Sequence, residues 1–201
     1  MCRLRKLQHL YCWLDYPSRL RSKDVAIVAI FSATVVASDF ALAPFVNFKL
    51  MDTIVFLVAL VFGFRQGAAV AVVSEAVWSV VSPWGPAGAI TPFLVGGELL
   101  FAAAGWGASR IWGAEKETVF PTAIFIGATL ALCAFAWDFE TNAATALIAN
   151  WPGLTLQEVL AYELSGFVFP IPLAHELGDF LLGMVAAPAA LFMVPRFRRG
   201  P

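Results

Sequence analysis

Apolar residues run along this chain in long blocks, with no sign of strand-like alternation. Blocks at about 25–44, 66–82, 92–112, 119–137 and 173–194 are separated by short breaks that carry charge, proline or glycine. About 20 apolar residues make a helix that crosses the ~30 Å hydrocarbon layer of a membrane. A sixth block, at 53–63, is too short to do so as a straight helix. It either borrows residues 45–51 or sits shielded inside a bundle. The block at 119–137 has room to continue toward Ala149. The breaks are tight. Gly63-Phe64-Arg65-Gln66-Gly67 reads as a hairpin, and Ser82-Pro83-Trp84-Gly85-Pro86-Ala87-Gly88 is rich in residues that cannot continue a helix. After the break at Trp151-Pro152-Gly153, Thr155 and Glu158 have capping-box spacing, which predicts a short helix to about Phe169. Pro170 and Pro172 then precede the last block.

Composition supports this pattern. Of the 201 residues, 60% are hydrophobic and 13% charged, and mean hydropathy is +0.79. Soluble domains carry about 25% charged residues. The imbalance excludes a disordered chain, a nucleic-acid binder built on a basic field, and most soluble enzymes. Net charge is −1 and says nothing of partners. Cys2, Cys12 and Cys133 are too scattered for a disulfide framework or a zinc site.

The placement of charge is more informative. Six bases lie before residue 24, three close the chain, and Lys49, Arg65, Arg110 and Lys116 lie between. With six spans and the N-terminus inside, twelve of the thirteen bases fall on the cytoplasmic side and only Lys49 falls outside. That is the sorting expected of cytoplasmic loops, and five or seven spans would scramble it. The expected fold is therefore an all-α membrane protein. It has six transmembrane helices in one bundle at 25–195, with both termini cytoplasmic at the plasma membrane. Residues 1–24 form a cytoplasmic segment whose Leu4, Leu7, Leu10, Tyr11 and Leu14 have the spacing of an amphipathic helix at the interface. Residues 196–201 form a cytoplasmic tail, and the capped helix near 155–169 lies on the outer surface. The first span also has the basic flank and the Val35-Val36-Ala37 sequence of a cleavable signal peptide; the multi-spanning remainder favours a retained span.

Two constellations stand out. Ala29, Ala33, Ala37 and Ala41 recur every four residues and draw a smooth stripe along span one. Small residues let helix backbones approach closely in lipid, so the stripe docks either another protein's helix or a neighbour in its own bundle. The second constellation is acidic. Asp39, Glu75, Glu98, Asp138 and Asp179, with His175 and Glu176, all fall in the outer halves of the spans. Ionisable groups at such depth are costly and face a cavity or a partner. Their one-sidedness predicts a polar cavity open to the outside above an apolar floor, walled by Trp78, Trp84 and Trp137 unless these are interfacial belt residues. Glu75, Trp78, Trp84, Asp138, His175 and Asp179 are the candidate substrate-binding residues. A histidine among carboxylates could hold a metal ion, but more often bonds a ligand or a neighbouring acid, and no metal set is assigned. Walker, HExxH, CxxC and GxSxG motifs are absent, and no nucleophile–base pair marks an enzyme.

The chain resembles the substrate-binding S components of energy-coupling factor (ECF) transporters. The likeness runs over about 25–195. It rests on Met51-Asp52-Thr53 with the Gly63–Gly67 turn, on Trp84-Gly85-Pro86 before Thr91-Pro92-Phe93, on the alanine stripe, and on His175-Glu176-Leu177-Gly178-Asp179 with Ala187-Pro188. The resemblance implies a six-helix bundle that captures a vitamin or similar small organic micronutrient. Its partners would be a transmembrane coupling protein, docked on the alanine stripe, and two ABC ATPases, which would use the ATP; this chain would need no cofactor of its own. The Met1-Cys2-Arg3 start departs from the histidine-rich N-terminus of the nickel and cobalt members. The alternative from the residues themselves is a stand-alone ion-coupled carrier that uses the outer acids as proton relays.

Overall fold

The computed structural model describes residues 21–45, 47–111, 118–150, 153, 155–168 and 173–198; at 149–150, 166–168 and 194–198 it describes the helical backbone alone. The predicted interfacial helix at 4–16 lies outside the described residues. Seven α-helices are described: α1 (Ser22–Leu42), α2 (Met51–Phe62), α3 (Phe64–Val81), α4 (Thr91–Ile111), α5 (Val119–Asn150), α6 (Leu156–Val168) and α7 (Ala174–Arg198). A single 3-10 turn, Gly88–Ile90, leads into α4. No strand occurs among the described residues.

Four segments are long and apolar enough to cross a membrane: Ser22–Leu42, Gly88–Ile111, Val119–Ile148 and Ala174–Met193. The chain thus reads as a multi-pass membrane protein. Helix α2 has 12 residues, a length of about 18 Å, and it does not borrow from 45–50. Instead it is enclosed. Met51, Val55, Phe56 and Ala59 have no exposed surface, and α2 packs on α1, α3, α4, α5 and α7. A short helix is tolerated at membrane depth when protein surrounds its polar ends. Gly63, at φ 104°, a backbone conformation other residues rarely adopt, is the only link between α2 and α3.

Helix α5 runs unbroken for 32 residues, about 48 Å, so its C-terminal third outruns the hydrocarbon layer. Asp138, expected at the end of a span, therefore sits inside a continuous helix. Helices α5 and α7 form the most extensive pair in the bundle, and glycines make it possible. A Cβ on Gly183 would lie 2.8 Å from the Gly127 Cα and 2.9 Å from Leu130 Cδ1.

The capping box forms as predicted. Glu158 accepts from the Thr155 backbone N–H and hydroxyl, both at 2.8 Å, and the Glu158 N–H donates to Thr155 Oγ1 at 3.3 Å. Helix α6 then packs on α5. The Thr155 backbone N–H and hydroxyl hold the Glu158 carboxyl below its ordinary value of 4.5. The box is thus complete above pH 4.5 and is lost as pH falls through the lowered value. Thr155→Ala should speed amide exchange in the first turn of α6 about fivefold, the usual scale of a lost N-cap; hydrogen-exchange mass spectrometry reads it directly.

Candidate functional site

The end of the bundle where α1 finishes and α2, α4 and α7 begin collects the buried acids. Asp39, Asp52, Glu75, Glu98, Asp138 and Asp179 are each 0–9% exposed. Among the described residues, Lys49 is the only lysine or arginine at this end. Arg21, Lys23, Arg65 and Arg110 lie at the opposite end, where Asp24 pairs with Arg21 at 3.1 Å and accepts from Gln66 at 3.2 Å.

His175, in the first turn of α7, organises the cluster. Its Nδ1 lies 3.1 Å from Asp138 Oδ1 on α5, and its Nε2 lies 3.1 Å from Asp52 Oδ2 on α2. Asp179, one turn along α7, brings Oδ2 to 4.0 Å from the same Nε2. The imidazole bridges three helices. Both short contacts are donated hydrogen bonds only when the ring carries two protons; with one proton, one carboxylate must donate instead. Trp137 closes one side. Its ring meets His175 edge-on at 5.3 Å, and its indole N–H donates to the Leu94 carbonyl at 3.3 Å. Above Trp137, the Lys49 Nζ sits 4.5 Å from the ring centroid, a cation–π contact.

The neighbouring helices add two further acids. Glu75 on α3 accepts from Ser79 Oγ at 3.0 Å. Glu98 on α4 is completely buried; no N–H or hydroxyl among the described residues donates to it, and its carboxyl faces that of Asp52. Lys49, half-buried in the connection 43–50, is drawn both ways. Burial alone would lower its pKa, but the carboxylates of Asp52, Glu75, Glu98 and Asp39 outweigh that and hold it above its ordinary value of 10.5.

A cavity of about 260 Å³ opens beside this cluster, lined by Asp39, Phe45, Phe48, Lys49, Trp78 and Trp84, among others. Of the six residues expected to bind substrate, Trp78 and Trp84 line it, Trp84 being 68% exposed. Asp138, His175 and Asp179 come together but lie closed in the core, and Glu75 stands apart from them on α3. The reason is packing. The first turns of α2 and α7 press against α5, so the acids there meet one another before they meet a lumen. Asp39, expected to face the cavity, does line it, and also accepts from the Leu50 N–H at 3.0 Å.

Two residues central to the site were not picked out from the sequence. Asp52 meets His175, and Lys49 covers Trp137. The available signal was the Lys49-Leu50-Met51-Asp52 run itself, a base and an acid three apart at the start of the apolar block that is too short to span.

The alanine stripe has a definite position. Ala29, Ala33, Ala37 and Ala41 are all exposed, so the stripe faces away from its own bundle. No protein-family model, curated protein sequence or solved structure matches the chain.

Proposed function

We propose that this chain is the membrane-embedded capture subunit of an ECF-type importer. It binds a small organic micronutrient from outside and delivers it through a coupling protein driven by partner ATPases. The observation that carries this reading is the cavity at the acidic end. It combines two tryptophans and two phenylalanines with one base and one acid, the mix of apolar wall and few polar groups typical of small-molecule sites. At about 260 Å³ it lies just below the ~300–1,000 Å³ of drug-sized pockets, and so favours a compact solute. Flat rings suit Trp78 and Trp84, while Lys49 and Asp39 offer one charge of each sign.

Six crossings with both ends cytoplasmic fit the same picture. The described bases other than Lys49 gather at one end of the bundle, as cytoplasmic sorting requires. The outward-facing stripe Ala29, Ala33, Ala37, Ala41 on α1 supplies a smooth face for the coupling protein. Ala37→Leu should therefore cut recovery of the coupling protein and ATPases with a tagged chain by about tenfold while leaving solute binding intact; co-purification from native membranes measures both.

The buried Asp138–His175–Asp52 chain, with contacts of 3.1 Å on each side, favours a second reading, an ion-coupled carrier with its own proton relay. The two readings separate by uptake assay. A capture subunit loses uptake when the partner ATPases are deleted and keeps it in the presence of an uncoupler with ATP maintained. A carrier does the reverse.

A further inference from the structure

We propose that Asp52, His175 and Asp179 form a binding site for a divalent first-row transition cation in the closed core, separate from the solute cavity. One ligand atom from each residue lies within 4.8 Å of the others, and all three side chains are buried. Ligand atoms that share a cation at bonds of about 2.0–2.2 Å stand roughly 3–4.3 Å apart. The 3.1 Å and 4.0 Å separations from His175 Nε2 fall within that range, and the remaining pair needs a contraction of less than about 1 Å.

Three independent features point to a ligand there. First, the carboxyls here face one another without a donor between them. Both oxygens of Asp179, both of Glu98 and Oδ1 of Asp52 are buried with no N–H or hydroxyl donor among the described residues, and the Asp52 carboxyl faces those of Asp179 and Glu98. Buried carboxylates are normally hydrogen-bonded, paired or metal-bound. Second, the charge does not balance. Eight buried carboxyl groups at this end, Glu163 and Glu176 included, face one lysine and one histidine; a divalent cation would offset two negative charges there. Third, the histidine is oriented for the task. Asp138 takes the Nδ1 side at 3.1 Å, which leaves Nε2 to Asp52 at 3.1 Å, with Asp179 at 4.0 Å. A carboxylate behind a histidine fixes its tautomer and raises its basicity toward a metal. The donor set is one imidazole and carboxylates without thiolate, which suits zinc, cobalt, nickel or manganese and not the soft ions.

None of these residues lines the solute cavity, so the site goes beyond the proposed capture function and stands or falls apart from it. The test uses the full chain in nanodiscs, stripped with chelator, in a Cys2→Ser, Cys12→Ser, His9→Ala background that removes the other histidine and two of the three thiols. Titration with CoCl₂ and with ZnCl₂ should show one ion per chain. Asp52→Asn, Asp179→Asn and His175→Gln should each weaken binding at least ~100-fold, the scale of a lost ligand or its support. Because these variants sit in the core, the unmutated site is read as well: X-ray absorption of the Zn²⁺-loaded protein should show a nitrogen/oxygen shell with one imidazole. No stoichiometric binding at millimolar metal, a shell containing sulfur, binding unchanged in the three variants, or uptake of Mg²⁺ or Ca²⁺ alone would each overturn the proposal.

Discussion

Gly183→Ile should strongly destabilise the bundle. The added Cβ would meet the Gly127 Cα at 2.8 Å and its backbone nitrogen at 3.0 Å, and a helix backbone cannot step aside as a flexible side chain can. The cost falls on the α5–α7 pair, which holds Asp138 and His175 in register. Overpacking typically costs 1–3 kcal/mol, and this contact is with backbone. The expectation is on the order of 3 kcal/mol or more, a fall in melting midpoint of roughly 10 °C. Gly107→Ala is the matched control. No atom lies within 4 Å of a Cβ there, so the substitution should be neutral, or should stabilise by up to ~1 kcal/mol through helix propensity. A thermal-shift series in detergent compares the two.

The second large effect is expected at Lys49. Lys49→Met removes the cation that faces Asp52, Glu75, Glu98 and Asp39 and lies over Trp137. Removing this half-buried cation leaves the acids around it without their one lysine countercharge, a loss read as lower stability at neutral pH. The pH dependence gives the mechanism its sign. Because the Lys49 pKa is raised, its contribution is fully present below its ordinary 10.5 and is lost only as pH rises through the raised value. Wild-type stability should therefore show no loss from this residue at neutral pH. The variant should be weak at neutral pH and recover as the stranded carboxylates protonate on acidification. Chemical denaturation at several pH values distinguishes this from simple loss of packing, which would cost the same at every pH.

The helices themselves were legible in the sequence because apolar length and helix-breaking residues are local properties. The Gly63 turn, the Thr155–Glu158 cap and the limits of α1, α3, α4 and α7 follow within a few residues. The short block at 53–63 left two outcomes open, and tertiary enclosure decided between them: α2 stays short because five neighbours cover it. The full length of α5 was harder to read, since Asp138 and Glu140 interrupt the apolar run without breaking the helix. The acids were recognised as a group from depth alone. Which of them touch depends on helix rotation and on the close approach at Gly127 and Gly183, and neither is encoded locally. Lys49 was counted as the lone outer base, yet its seat above Trp137 depends on how the connection 43–50 folds back over the bundle.

The central claim is that the cavity beside the acid cluster receives a small organic solute, and tryptophan fluorescence tests it most directly. Trp78 and Trp84 both line that cavity. Purified full-length chain, titrated with a panel of vitamins and their precursors, should show saturable quenching by one compound or one close chemical class. Trp78→Phe should reduce that response by at least half, and Lys49→Met or Asp39→Asn should weaken the affinity about tenfold or more. Absence of any saturable response across the panel, with no small molecule co-purifying by native mass spectrometry, would contradict the account.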